Sequence, residues 1–223
     1  QTRTNRLFAA MLCGILVLFV ARIVYLQRGL LSNVLDVLAG RTACSLAQVW
    51  EGERHLNRSL RIAERIFGSV RVARTDGAVS LWHTPRGALW TPARMTKTAL
   101  TLLLTEQESD FYRREFIRPG DVVLDCGANI GIFTRTALDA GAGTVVAIEL
   151  VPDSIEALER NVSDAIREGR VLVCRKGVWD TDDSLPVTLS SDSIADSVMS
   201  RDGTRGANRQ LLALTTIDKI VAE

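Results

Sequence analysis

The stretch from Val122 to Phe133, VVLDCGANIGIF, constrains the fold of this chain more than any other. The apolar run Val122-Val123-Leu124 reads as a strand that closes on Asp125. A turn carrying Gly127, Ala128, Asn129, Ile130 and Gly131 follows, and then an apolar run that opens a helix. Strand, glycine turn and helix in this order build a ligand crevice at the carboxyl end of a strand. Gly127 and Gly131 let the backbone bend sharply and come close to a ligand. Asp125 is expected to aim a carboxylate at that crevice. Asn129 tolerates strained turn angles and offers an amide.

The wording of the turn excludes two common ligands. A phosphate loop needs Lys and Ser or Thr after its last glycine, and neither follows Gly131. A dinucleotide loop reads G-x-G-x-x-G, whereas here Asn129 stands where bare backbone must approach a pyrophosphate. An acid beside the loop also repels phosphate. The pattern suits a ligand with a cationic centre and no phosphate.

Thr144-Val145-Val146-Ala147-Ile148 reads as a second strand tipped by Glu149 and followed by Leu150. An acid at this tip, about 20 residues after the glycine turn, is placed to accept both hydroxyls of a ribose. Two acids around such a turn fit a positively charged nucleoside, and S-adenosylmethionine is one.

GDVVLDCGANIGIF followed by VVAIELVPDSIEALERNV resembles the cofactor half of class I S-adenosylmethionine-dependent methyltransferases. The wording DCGANIG is similar to the FkbM type, as are TEQESDFYRREFIRPGD upstream and LTTIDKIVAE downstream. The resemblance covers roughly Ser69 to the end. It implies an α/β fold with a Rossmann-like parallel sheet and S-adenosylmethionine as cofactor. The cofactor-binding residues it points to are Asp125, Gly127, Ala128, Asn129, Gly131, Glu149 and Leu150, with Gly177 and Val178 over the adenine. Glu106 and Tyr112 are weaker candidates for the amino-acid end. The resemblance also implies further strands beyond Glu223, so the chain is expected to be a C-terminal truncation with an incomplete sheet.

The 223 residues, 47% hydrophobic, are enough for one domain with a real core, and a net charge of +1 leaves no footprint for nucleic acid. Cys13, Cys44, Cys126 and Cys174 have no metal-ligand spacing and read as plain thiols. No metal is expected.

Leu7 to Leu26 is apolar apart from Gly14 and Arg22 and long enough for a bilayer-spanning helix. A secretory signal peptide and a buried soluble helix are the alternatives. Residues 1–28 are therefore expected to be a single-pass membrane anchor. Arg22, Arg28 and Arg41 against Arg3 and Arg6 put the C-terminal side, with the catalytic domain, in the cytoplasm.

Residues 29–68 read as a helical linker. Leu31, Val34, Leu35 and Leu38 share one face before a stop at Gly40. Leu46, Val49, Leu56, Leu60, Ala63 and Phe67 form a second apolar stripe, either packed on the domain or membrane, or acting as a seam for a homodimer.

Residues 69–223 read as the methyltransferase domain. Ser69 to Thr84 is expected to form a hairpin through Asp76-Gly77 at the periphery of the core, followed by a loop at Thr84 to Gly87. Trp82 and Trp90 are expected to pack, with substrate lining as the alternative. A helix over Ala93 to Leu104 is expected to end before a second helix capped by Thr105 and Glu108, which carries Phe111, Tyr112 and Phe116. Asp153 with Glu156 is expected to cap the helix after Glu149. Val171 to Arg175 reads as a third strand, Lys176 to Asp180 as a turn, and Ser190 to Asn208 as a loop. A strand over Gln210 to Leu214 and a helix over Ile217 to Ala222 close the chain.

The resemblance implies methyl transfer to a hydroxyl on a sugar, another small metabolite or a glycan. No catalytic base is identified, since His55 and His83 lie outside the motif. A non-catalytic membrane-anchored module and an NAD-dependent oxidoreductase are the readings from other classes.

Overall fold

The computed structural model describes residues 28–109, 114–190 and 209–222. The segment Leu7 to Leu26, together with Phe111, Tyr112 and residues 191–208 of the expected loop, lies outside them. Among the described residues no helix is long and apolar enough to cross a membrane.

The chain divides into two compact units, Gln1–Arg58 and Ser59–Glu223. In the first, helix α1 (Arg28–Leu38) ends at Gly40, which takes φ 65°. Helix α2 (Leu46–Ser69) starts from a reciprocal cap that the sequence reading missed. Gln48 N–H donates to Ser45 Oγ at 3.2 Å, and Ser45 N–H donates to Gln48 Oε1 at 2.7 Å. Leu31, Leu35, Leu38, Leu46, Trp50 and Leu56 are exposed.

In the second unit the end of α2 meets the core through Ile66 and Val70, with Ile62 packed beside them. This corrects the expected stripe: Leu60 and Phe67 are exposed. Residues four apart share a helical face, and the face that Ile62, Ile66 and Val70 occupy is the one that turns inward.

Strands β1 (Arg71–Asp76), β2 (Val79–Thr84) and β3 (Gly87–Pro92) form an antiparallel sheet in that order. Asp76 pairs with Val79, which leaves Gly77-Ala78 as the turn. The expected loop at Thr84 to Gly87 is itself a tight turn into β3, because Thr84 pairs with Gly87. Trp82 is buried and its indole N–H donates to Thr91 Oγ1 at 3.0 Å. Trp90 carries the guanidinium of Arg74 and that of Arg160 within 5.2 and 4.4 Å of its ring centre.

Helix α3 (Lys97–Glu108) is continuous and is capped by Thr96, whose side chain accepts from Ala99 N–H. The expected break at Thr105 does not occur. Thr105 is buried inside the helix and donates its hydroxyl to Thr101 O at 2.7 Å, so its oxygen serves no cap. A short 3-10 turn covers Arg114–Phe116.

The expected β-α-β-α-β succession follows. Strands β4 (Val122–Cys126), β5 (Thr144–Ile148) and β6 (Val171–Cys174) form a parallel sheet in that order. Helix α4 (Ile132–Asp139) joins the first pair; α5 (Pro152–Asn161) and α6 (Ser163–Arg167) join the second. The cap expected from Asp153 is absent: α5 starts from Val151 without a side-chain cap. Asp153 lies inside the first turn, past the cap position, and its carboxylate pairs with Arg94 at 2.8 Å. A third sheet, in the order β7-β9-β8, holds β7 (Gly177–Val178), β8 (Asp183–Thr188) and β9 (Arg209–Thr215) before helix α7 (Ile217–Ala222). The expected turn at Lys176 to Asp180 thus contains a strand. Gly177 and Val178 pair in parallel with Leu214 and Thr215.

The β1–β3 sheet is not peripheral. Val79, Trp82 and Leu89 share a buried cluster with Leu100 and Leu104 of α3 and with Ile130 and Ile132 at the glycine turn. A second cluster, including Ala128, Ala147, Leu158 and Val171, lies around the parallel sheet. Ile130 and Ala128 place adjacent parts of the turn in different cores, so both clusters hold it in shape.

The glycine loop and the adjoining pocket

The loop between β4 and α4 is built from left-handed turns. Gly127, Asn129 and Gly131 have φ of 81°, 48° and 82°. Glycine adopts these angles without strain, and asparagine tolerates them better than most residues. Two kinds of glycine stand here. A Cβ on Gly127 would meet nothing within 4 Å, whereas one on Gly131 would stand 2.6 Å from Leu158 Cδ1. Gly131 is a packing glycine, and Gly127 borders open space.

Hydrogen bonds tie the loop to the tip of β5. The N–H groups of Gly127 and Ala128 both donate to Ile148 O at 2.9 Å. Asn129 N–H donates to Glu149 Oε2 at 2.8 Å. Leu150 and Val151 N–H donate to Glu149 Oε1 at 2.8 and 2.9 Å. The Glu149 carboxylate is 5% exposed and shapes the backbone on both sides of the crevice.

Asp125 is equally enclosed, at 5% exposure. Thr134 Oγ1, on the first turn of α4, donates to its Oδ2 at 2.5 Å. Burial pushes the Asp125 carboxyl up to about 6, despite the hydrogen bonds from Thr134 that lower it, and the Glu149 charge pushes the same way. Thr134 was missed in the sequence. A hydroxyl nine residues after an acid gives no local signal, and only the loop geometry brings the two together.

A further device holds the loop from outside. Asn161, at the end of α5, donates its amide to Trp90 O and Ile130 O at 2.8 Å, and accepts from Trp90 N–H at 2.7 Å. One side chain thereby joins β3, α5 and the glycine loop.

A pocket of about 300 Å³ opens beside Gly127. Of the residues expected from the sequence, Gly127, Leu150, Gly177 and Val178 line it. Asp125, Ala128, Asn129, Gly131 and Glu149 do not line it. Trp179, Val187 and Leu214 add apolar wall that the sequence reading did not assign to the site, and Lys176 and Cys126 add polar atoms. Glu106 lies on α3, does not line this pocket, and has its carboxyl pushed up by burial. No cluster suited to a metal ion occurs among the described residues.

No family model matches this chain. It is 34% identical over 58 residues to the ribosomal protein L11 methyltransferases of Thermotoga petrophila and Thermotoga maritima, a match covering 26% of this chain and 22% of each relative. The match therefore spans about a fifth of the relatives' length. Among solved structures, the chain is similar to methyltransferase FkbM from Methylobacillus flagellatus, at TM-score 0.32 and 16% identity over 75% of this chain and 38% of that one. It is also similar to a Pyrococcus horikoshii protein provisionally assigned as an RNA methyltransferase, at TM-score 0.27 and 20% identity over 52% of this chain and 48% of that one. At TM-scores this low, nothing further rests on the two structural likenesses. In the strand, loop and second acid that organise its parallel sheet, the chain resembles the class I S-adenosylmethionine-dependent methyltransferases, with the loop wording of the FkbM type.

Proposed function

We propose that this chain binds S-adenosylmethionine at the glycine loop and serves a methyltransferase acting on a hydroxyl of a sugar, another small metabolite or a glycan. The observation that carries the reading is the loop itself: DCGANIG, folded into left-handed turns, bridged to Glu149 and open to a pocket at Gly127. The residues present fit the cofactor. The apolar wall of Leu150, Val178, Trp179 and Leu214 suits a flat heteroaromatic ring. Two buried acids close by suit a cationic centre and repel phosphate, which disfavours NAD.

When bound, S-adenosylmethionine supplies a methyl group on a sulfonium to an incoming nucleophile. The chain's own share is to hold and orient. Gly127 gives backbone access, Leu150, Gly177 and Val178 grip the base, and Asp125 and Glu149 set the loop's shape and the local negative potential. The fixed loop positions donor and acceptor, and the apolar wall excludes water. No residue is assigned as base. We also propose that Leu7 to Leu26 anchors the protein as a single membrane span with this domain on the cytoplasmic side. The length of the apolar run and the position of the arginines support this.

Calorimetric titration with S-adenosylhomocysteine and with NAD tests the cofactor. Saturable binding of the first, lost in Gly127→Val, is expected. Tighter binding of NAD overturns the reading.

A further inference from the structure

A second cavity, also of about 300 Å³, lies between the β2–β3 turn, α3 and α4. It shares no lining residue with the pocket at Gly127. Its walls include Leu89, Leu104 and Ile132, each nearly inaccessible to solvent. Three charged side chains also line it: Arg86 from the β2–β3 turn, and Arg135 and Asp139 from α4.

Arg65, Arg74, Arg94, Arg160, Arg167, Arg170 and Arg175 each engage a carboxylate or an aromatic ring. The guanidinium groups of Arg86 and Arg135 engage neither, and Asp139 forms no ion pair with them, among the described residues. A guanidinium presents five N–H donors in a planar fork that matches the oxygens of a carboxylate or phosphate. Two such forks on one cavity, over an apolar floor, leave donor capacity that the described residues do not use.

We propose that this cavity binds a small molecule with an oxyanion head, carboxylate or phosphate, and a compact apolar body. The oxyanion sits between Arg86 and Arg135. The apolar body rests on Leu89, Leu104 and Ile132. Asp139 favours ligands that also carry a hydroxyl or ammonium donor. This site is independent of the proposed cofactor pocket.

The test uses the full chain and three probes: phenyl phosphate, phenylacetate and inorganic phosphate. Binding is followed by calorimetry and by chemical-shift changes of the Leu89, Leu104 and Ile132 methyl groups. Saturable binding of phenyl phosphate or phenylacetate is expected, stronger than that of inorganic phosphate, with shifts confined to those methyls. Whichever aromatic probe binds identifies the head group. Arg135→Gln and Arg86→Gln each weaken binding about tenfold, since each removes a charge-assisted contact. Arg74→Gln, away from the cavity, leaves it unchanged. Among the described residues neither guanidinium has an ion-pair or ring partner, so these substitutions are expected to spare folding, and thermal melts verify this. Absence of saturable binding by both aromatic probes overturns the proposal, as does binding indifferent to both arginine substitutions.

Discussion

The backbone N–H of Asn129 donates to Glu149 Oε2 at 2.8 Å, so the acid at the tip of β5 is fastened to the glycine loop after β4. The same carboxylate receives the N–H groups of Leu150 and Val151. It clamps the backbone around the glycine loop. Glu149→Ala leaves these donors without their acceptor, and a loss of about 2–4 kcal/mol in unfolding free energy is expected. Urea denaturation measures it. Glu149→Gln keeps an oxygen for the Leu150 and Val151 N–H groups and should cost less; an equal cost for both would show that charge outweighs hydrogen bonding here.

Thr134 is fully buried against Asp125. Thr134→Val keeps the shape and removes the donor. A loss of about 1–3 kcal/mol is expected, because a buried carboxylate loses a partner. The Asp125 carboxyl should rise further above 6, which carboxyl titration by NMR would read.

Asp125 also predicts the pH dependence of stability. Its folded value, about 6, lies above that of an unfolded Asp, so the folded state holds the proton more tightly. Between about pH 4 and pH 6 the folded state carries more protons than the unfolded one, and stability falls as pH rises. Above that window the full penalty of the buried charge is present, on the order of 2–3 kcal/mol. Asp125→Asn removes the penalty and flattens this limb. Thermal melts from pH 4 to pH 8 should show the variant more stable than the parent only at the upper end.

The two loop glycines should fail differently. Gly131→Ala forces both a strained φ of 82° and a clash with Leu158, and a loss of about 2–4 kcal/mol is expected. Gly127→Ala meets open space and carries only the strain, about 1–2 kcal/mol. Its larger effect should be on binding of S-adenosylhomocysteine. Equal melting temperatures for the two variants would contradict this division.

Membrane attachment is checked by carbonate extraction and protease protection of the full chain. Retention in the membrane pellet, with the glycine-loop domain digested from the cytoplasmic side, is expected. Release by carbonate would refute the anchor.

Strand-loop-helix over Val122 to Phe133, the extent of β5, and the β-α-β-α-β order were all legible in the residues. The signals are local there: apolar runs bounded by glycine turns specify an element without help from distant chain. Local signals misled where a side chain had two uses. Thr105 and Asp153 look like caps, yet one bonds back into its own helix and the other pairs with Arg94. Strands β3 and β8 passed unnoticed because a two-residue turn and a proline-bearing edge strand carry weak patterns.

A glycine loop between acid-tipped strands is written into the residues alone, because loop angles and strand periodicity depend on neighbours in the chain. Which side chains line the pocket follows from long-range packing. Asp125 and Glu149 are turned inward to Thr134 and to backbone N–H groups, while Leu150, Val178 and Trp179 line the pocket. The physical reason is that buried polar groups must find partners wherever packing brings them. Asn161 meets Trp90 across 71 residues, a distance over which no local pattern reaches.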